Sequence, residues 1–226
     1  MNAANLLPPD EALSPAERRR QQVRRAILDA AERVFAAEGE AGLSIRRLAE
    51  EIDYSPAAIY KYFDSKAALV EELKQAFFER FIVRLARVLA SGDDFMTCAV
   101  NGCIAYIETA IERPHHYVAA FSGQTPAEMS PGASPERHEA FMTSPAGRAF
   151  ASLRDMVAEG VRDGHFARDL DPLMAAKSVW ASCHGLAMLI AHLPHFPAME
   201  PGRQEHTQTA FIAHHARTLV AGLRAS

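Results

Sequence analysis

Helix-start signals recur along this chain, and they constrain its fold more than any other feature. At Ser14-Pro15, Ser55-Pro56, Ser144-Pro145 and Asp171-Pro172 a capping side chain stands directly before a proline. A Ser or Asp oxygen accepts from the orphan N–H groups of a first helical turn, and proline suits the first helical position, where no N–H is needed. Ser14-Pro15-Ala16-Glu17 reads as a full capping box, with Glu17 reaching back. From it an apolar stripe runs through Val23, Ile27, Ala30, Ala31, Val34 and Phe35 at helical spacing, and Gly39 predicts the stop.

A second, short helix is predicted after Ser44, with Ile45, Leu48, Ala49 and Ile52 on one face. A three-residue turn follows, then a third helix over Ser55–Tyr62, with Ile59 and Phe63 as its apolar marks. Asp64 and Ser65 cap a long fourth helix that turns Leu69, Leu73, Phe77 and Phe81 inward and runs to Leu89, where Ser91-Gly92-Asp93-Asp94 breaks it. Phe95 to Glu112 is apolar on nearly all sides, the mark of a central helix, and ends at Arg113-Pro114. A short aromatic helix, His115 to Phe121, precedes a Gly-, Pro- and Ser-rich loop from Gly123 to Pro135. Three more helices are expected: Ser144-Pro145 to Gly164, Asp171-Pro172 to Leu193, and Arg203 to Arg224, with a proline-bearing loop from His195 to Gly202 before the last.

No alternating strand pattern and no internal repeat is visible. The expected fold class is all-α: an N-terminal three-helix helix-turn-helix domain over residues 15–66, joined through the long fourth helix to a C-terminal helical domain over residues 67–226.

Composition excludes several classes. At 49% hydrophobic residues the chain has a real core and is not disordered. Its most apolar stretch, Gly185 to Leu193, is too short to span a bilayer, and the N-terminus lacks the basic-then-apolar pattern of a secretory signal. A cytoplasmic protein without a membrane partner is the expectation. Cys98, Cys103 and Cys183 form no CxxC pair, and their odd count argues for buried thiols rather than a disulfide framework. His115-His116 and His214-His215 invite a metal reading, but adjacent residues point apart on a helix and no Cys or carboxylate sits at ligand spacing. No metal and no cofactor is expected. No nucleophile–base pair or phosphate loop is visible, so no catalytic residue is assigned and an enzyme is not expected.

The formal net charge of -4 gives no support to nucleic-acid binding by the whole molecule. Basic groups are local instead: Arg18, Arg19, Arg20, Arg24 and Arg25, then Arg46, Arg47, Lys61 and Lys66. The first cluster reads either as a basic arm reaching DNA or as a solvated helix face. Two short helices joined by a three-residue turn suit DNA, since one braces the backbone while the other enters the major groove. On spacing alone an ordinary helical hairpin fits equally well.

The residues go further. AILDAAERVFAAEG and GLSIRRLAEEIDYSPAAIYKYFDSKAALVEEL resemble the TetR family of transcriptional regulators. The resemblance is carried by Phe35, by Gly42-Leu43-Ser44, by Leu48-Ala49, and by Tyr60, Tyr62, Phe63, Ser65 and Lys66. It implies that Ser44 and Arg46 lie near phosphate, with Arg46 also in reach of a base. Ser55, Ala57 and Ala58 would form the leading end of the recognition helix. Tyr60 and Tyr62 would donate to phosphates, Lys66 would meet an anion at a helix start, and Lys61 is a further contact. The chain departs from the family in the turn, where the usual Ala-Gly is Ile52-Asp53 and a small aliphatic residue is Tyr54. Asp tolerates a left-handed backbone better than most residues. Ala57 and Ala58 offer only methyl contacts.

Trp180-Ala181-Ser182-Cys183-His184-Gly185 resembles the W-x-x-x-H-G signature of one C-terminal class in that family. Trp180 and His184 share a helix face; they line either an effector pocket or a dimer seam, or His184 is bonded inside the core. Gly185 would allow close approach of a helix. The effector pocket is expected among Asn101, Tyr106, Tyr117, Phe121, Phe150, Met156, Trp180 and His184. The implied partners are a palindromic double-stranded DNA operator, a small-molecule effector of unknown identity, and a second copy of the chain. That copy is expected against the last two helices, where Leu186, Ala187, Ile190, Phe211, Ile212, Leu219 and Val220 form apolar faces. A repressor released by its effector is the leading expectation. An activator of the same fold is the alternative within the class, and a helical ligand carrier or enzyme the alternative outside it.

Overall fold

Ser14 and Glu17 open the first helix by exchanging hydrogen bonds. The Ser14 N–H donates to the Glu17 carboxylate at 2.7 Å, and the Glu17 N–H donates to the Ser14 hydroxyl at 3.3 Å. Hydrogen bonding of its carboxylate to the Ser14 side chain, and then to the Ser14 N–H, holds the Glu17 carboxyl below its ordinary pKa. The computed structural model describes residues 14–121, 134–193, 195–197 and 207–224. Helix α1 (Pro15–Gly42) breaks its helical path at Gly39, whose φ is 68°. Three serine caps then follow in turn. Ser44 accepts from the Arg47 N–H to start α2 (Ile45–Glu51), Ser55 from Ala58 to start α3 (Pro56–Ile59), and Ser65 from Ala68 to start α4 (Lys66–Leu89). The chain continues as α5 (Phe95–Glu112), α6 (Pro114–Phe121), α7 (Pro135–Thr143), α8 (Pro145–Arg162), α9 (Pro172–His192) and α10 (Gln208–Ala221). Among the described residues there is no strand.

Three expectations need correction. Helix α7 was not expected, although Ser134 caps it before Pro135 by the same signal that starts its neighbours. Helix α3 stops at Ile59 rather than Tyr62. The Lys61 and Tyr62 N–H groups bond three residues back, to Ala58 at 3.3 Å and Ile59 at 2.8 Å, and this tightens the segment into a turn. Helix α10 begins at Gln208 because Thr207 is extended and caps it. The proposed earlier start, over residues 203–206, lies outside the described residues. So do the N-terminal residues 1–13, most of the predicted loop after α6 (122–133) and residues 198–202 of the loop before α10.

Two apolar cores divide the molecule. The first gathers Ile27, Ala30, Ala31 and Val34 of α1 with Leu48, Ile59, Phe63, Leu69 and Leu73, and Ala119 and Ala120 of α6 close it. The second starts at Phe77, one helical turn beyond Leu73, and takes in α5, α8, α9 and α10. Helix α4 therefore carries both cores, and α6 touches both. Helix α5 packs against α4, α6, α9 and α10, as a helix apolar on most sides must. Gly160 of α8 makes room for Phe166, since a Cβ there would stand 2.2 Å from its ring. Helix α9 is long and apolar enough by length and composition to cross a membrane. Here it buries Ala176, Val179, Cys183, Leu186 and Ala187 in the second core.

Candidate nucleic-acid interface and effector cavity

The α2–α3 unit turns its polar groups outward. Asp53 in the intervening turn has φ 55°, the left-handed conformation where the family carries Gly. Ser44 and Ser55 are exposed. Each hydroxyl accepts one backbone N–H at 3.2 Å, which leaves its own O–H available as a donor. The Arg46 side chain is 85% exposed and pairs with Glu50 at 3.1 Å. Ala57 is exposed and Ala58 half-buried. Tyr60 is 51% exposed, Lys61 is exposed, and Phe63 is buried. Tyr62 is half-buried: the Arg20 guanidinium lies 5.7 Å over its ring, and Arg24 donates to its carbonyl at 3.2 Å. Three aromatic rings so close in sequence diverge, as the short segment requires. Lys66 is half-buried at the first turn of α4.

Tyr54, read from sequence only as a departure in the turn, is 43% exposed beside the start of α3. An exposed aromatic in a polar turn is the signal that could have added it to the candidates. Part of the basic cluster is spent inside the fold. Arg47 pairs with Glu38 at 2.9 Å and Arg33 with Glu51 at 3.1 Å, tying α1 to α2. Arg18, Arg19 and Arg20 stand exposed on the first turns of α1.

Behind this head lies a cavity of about 1480 Å³ between α4, α5, α6, α7, α8 and α9. Tyr106, Phe121, Phe150, Met156 and Trp180 line it, as expected from sequence; Asn101, Tyr117 and His184 do not. Asn101 is half-buried on α5. Sequence reasoning missed the contribution of α4, with Phe78, Phe81 and Leu85, and of Phe141 on α7. The inward stripe of α4 was legible, but which neighbour it faced was not.

Tyr117 and His184 stand behind the wall in a chain of hydrogen bonds. The Trp180 indole N–H donates to the Tyr106 hydroxyl at 3.2 Å. The Tyr106 and Tyr117 hydroxyls are 3.0 Å apart, and Tyr117 Oη is 2.6 Å from His184 Nδ1. Indole can only donate, so one direction satisfies every member: Trp180 to Tyr106, Tyr106 to Tyr117, Tyr117 to His184. That assigns the His184 proton to Nε2. Burial pushes the His184 imidazole below its ordinary pKa and both tyrosine hydroxyls above theirs. A proton on Nδ1 would also reverse the chain and strand a buried hydroxyl hydrogen. The Trp180 and His184 rings stack with centroids 5.4 Å apart. Of the readings left open, His184 makes the contacts of an imidazole bonded inside the core.

His116, next to Tyr117, faces the other way. It is 1% exposed, its Nε2 bonds the Leu73 carbonyl at 2.9 Å, and its Nδ1 is 3.5 Å from Glu32 of α1. Arg113 joins the contact, 2.7 Å from Asp29 and 3.3 Å from Glu32. Burial alone would raise the Glu32 carboxyl, but the hydrogen bond and charge of His116, with Arg113 and Arg80, outweigh it and hold the pKa below the ordinary value. His115 is exposed, and His214 is exposed beside half-buried His215. Among the described residues no group of three or more His, Cys, Asp or Glu side chains is placed to hold a metal.

The apolar faces expected to meet a second copy are largely occupied. Leu186, Ala187, Ile190, Ile212 and Val220 are buried in the chain's own core, and Phe211 and Leu219 are half-buried against it. Another side of α9 is bare: Met174 is 61% and Leu189 46% exposed on the same side as Gly185, and the C-cap Leu193 is 44% exposed, while Leu173, 43% exposed, lies on a different side. Gly185 lies on the exposed side, with nothing within 4 Å of where its Cβ would be. Among the described residues no helix uses the close approach it allows.

Known proteins share both halves. Residues 27–73 match the bacterial regulatory proteins of the tetR family, and residues 100–222 match the tetracyclin repressor-like C-terminal domain. The HTH-type transcriptional repressor KstR2 of Rhodococcus jostii (strain RHA1) is 27% identical over 170 residues, covering 74% of this chain and 78% of that protein. The fatty acid degradation regulator FadR from Bacillus halodurans superposes with a TM-score of 0.68 at 17% identity, over 96% of this chain and 100% of that one. The ketosteroid transcriptional regulator KstR2 of Mycobacterium tuberculosis gives 0.61 at 19% identity, over 90% and 95%. At such identities the two structures speak for the fold.

Proposed function

We propose that this chain, which belongs to the TetR family and is a DNA-binding transcriptional regulator, acts as a homodimeric repressor that a small-molecule effector releases from a palindromic operator. The repressor reading draws support from the name of the Rhodococcus relative. The observation that carries the DNA-docking part is the outward polar face from Ser44 to Lys66. It pairs two serine O–H donors with the exposed Tyr60 and Lys61 at the end of a short, capped helix. Ser44, Arg46, Tyr60, Lys61, Tyr62 and Lys66 are assigned to phosphates, and Ser55, Ala57 and Ala58 to base edges. Tyr54 and the Arg18–Arg20 turn are added to the phosphate set on their exposure. In this reading the protein is not an enzyme and works in the cytoplasm, where its DNA is.

The division between DNA-binding and effector domains falls on α4, between Leu73 and Phe77, slightly later than residue 66. The effector occupies the cavity. Two regulators of the same fold are named for fatty acid degradation and for ketosteroids, which fits a large, apolar-walled space. Helix α6 couples the two ends, since His116 bonds to the head while Tyr117 is wired to Trp180 in the cavity wall. A ligand that moves this wall shifts α6 against α1 and α4, and the two heads of the dimer move between spacings. The bare stripe of α9 around Gly185 supplies the dimer contact.

An electrophoretic shift with the DNA directly upstream of the chain's own reading frame tests this. Two chains per duplex and preference over a scrambled duplex are expected. Equal binding to both duplexes, or a stable monomer by light scattering at micromolar concentration, contradicts it.

A further inference from the structure

The cavity combines an apolar wall with several lysines. Phe78, Phe81, Leu85, Ala99 and Met156 are buried parts of its wall. Its charged lining residues are Lys66, Lys74, Lys177 and Glu71, three cations to one carboxylate in a chain of net charge -4. Lys74 is the most constrained of them: its side chain is 12% exposed, and its carboxylate neighbour is Glu71 at 3.6 Å. That neighbour is itself 47% exposed and also accepts from Gln75. An ammonium placed against an apolar wall with one distant partner is costly to keep there unless another anion completes its pairing. Lys177 on α9 also lines the cavity and is exposed. The volume, about 1480 Å³, exceeds the roughly 300–1,000 Å³ of ordinary ligand pockets.

We infer that the effector of this cavity is an amphipathic anion: a large apolar body against the apolar wall and a carboxylate or phosphate head paired with the cavity-lining Lys74 and Lys177. This rests on the reading of the cavity as the effector site and adds the charge of the ligand to it. Lys66, which also lines the cavity, belongs to the proposed phosphate set of the DNA head as well, so effector and operator share a residue in this reading.

Trp180 is the single tryptophan of the chain and part of the cavity wall, so its fluorescence reports occupancy. The experiment titrates the full-length protein with dodecanoate, dodecyl phosphate and uncharged dodecanol, and compares dissociation constants. Either anion should bind at least about tenfold more tightly than the alcohol, as a charge-assisted hydrogen bond confers, and the stronger of the two identifies the head. The advantage should shrink toward one in a Lys74→Met, Lys177→Met double variant and persist in the Lys74→Arg, Lys177→Arg pair. In the unaltered protein, added salt should reduce the anion advantage. Dodecanol binding as tightly as both anions, or an advantage indifferent to salt, overturns the charge inference and leaves the cavity reading standing. No Trp180 response to any of the three overturns both.

Discussion

Tyr60 and Tyr106 carry the same hydroxyl in opposite surroundings. Tyr60 is 51% exposed at the end of the recognition segment, while Tyr106 is 5% exposed and bonded on two sides within the ligand-facing domain. The difference extends to the regions around them. The DNA-facing head keeps its polar groups on the surface, paired as ions across short distances, over a small apolar core. The C-terminal domain buries neutral groups and wires them in sequence, from indole to hydroxyl to hydroxyl to imidazole. A surface group contributes little to stability and much to binding. A wired group contributes to stability whether or not a ligand is present, because removing one member leaves its neighbours unpaired.

The largest expected effect that would break this contrast lies in the chain. Tyr117→Phe deprives Tyr106 of its acceptor and His184 of its donor, so denaturant unfolding should show a loss of about 2–3 kcal/mol. Tyr60→Phe should lie within about 0.5 kcal/mol of the parent protein. Equal losses for the two would erase the distinction between the regions.

Next comes the dimer stripe. Gly185→Glu places a charge where, among the described residues, no neighbouring element stands within 4 Å of the added Cβ. It should shift the protein to monomer in light scattering with little change in the protomer's own secondary structure. A dimer indifferent to that charge would move the interface elsewhere.

The junction between the regions should respond more in coupling than in stability. Arg113→Ala removes the contacts to Asp29 and Glu32, half-exposed ion pairs worth at most about 1 kcal/mol. Its effect should be read as a weaker response of operator affinity to effector. Unchanged release would take α6 out of the coupling.

The smallest effect is an acid titration that should separate the regions by pH. His184 has a lowered pKa, so the unfolded chain binds the proton more readily. The stability it confers is present above its ordinary value, near 6.5, and is lost as pH falls below that toward the folded value. Glu32 is lowered from 4.5, so its contribution at the junction holds until pH falls below that figure. Trp180 fluorescence should therefore report a loosening of the sensor first, and His184→Gln should remove that first step. Simultaneous loss of head and sensor above pH 5 would contradict the order.

How much of this was legible in the sequence follows from distance along the chain. Caps act over three residues, so Ser14, Ser44, Ser55, Ser65, Ser144 and Asp171 announced their helices. Ser134 gave the same announcement for α7, but the Gly- and Pro-rich run before it drew that segment into a loop. The hydroxyl chain joins residues 74 and 67 positions apart, and no local pattern states which aromatic meets which. Phe150 and Met156 were found because bulky apolar residues mark an interior; Asn101 was not a wall residue, since a polar group on a central helix can face several neighbours. Leu186 and Leu189 look alike in sequence, yet one is 4% and the other 46% exposed. Helix α9 is apolar on both sides, and periodicity does not say which side meets its own chain.

If the face from Ser44 to Lys66 docks on the DNA backbone, its phosphate contacts fix position without reading sequence. A salt titration of Lys66→Ala on cognate and scrambled duplexes tests it most directly. Each lost phosphate contact should lower the slope of log K against log salt by about 0.9. The account predicts weaker binding to both duplexes and a slope shallower by about one unit per chain, while Tyr60→Phe weakens binding with the slope preserved because its hydroxyl carries no charge. A Lys66→Ala protein that keeps the parental slope, or that loses affinity for the cognate duplex alone, would contradict it.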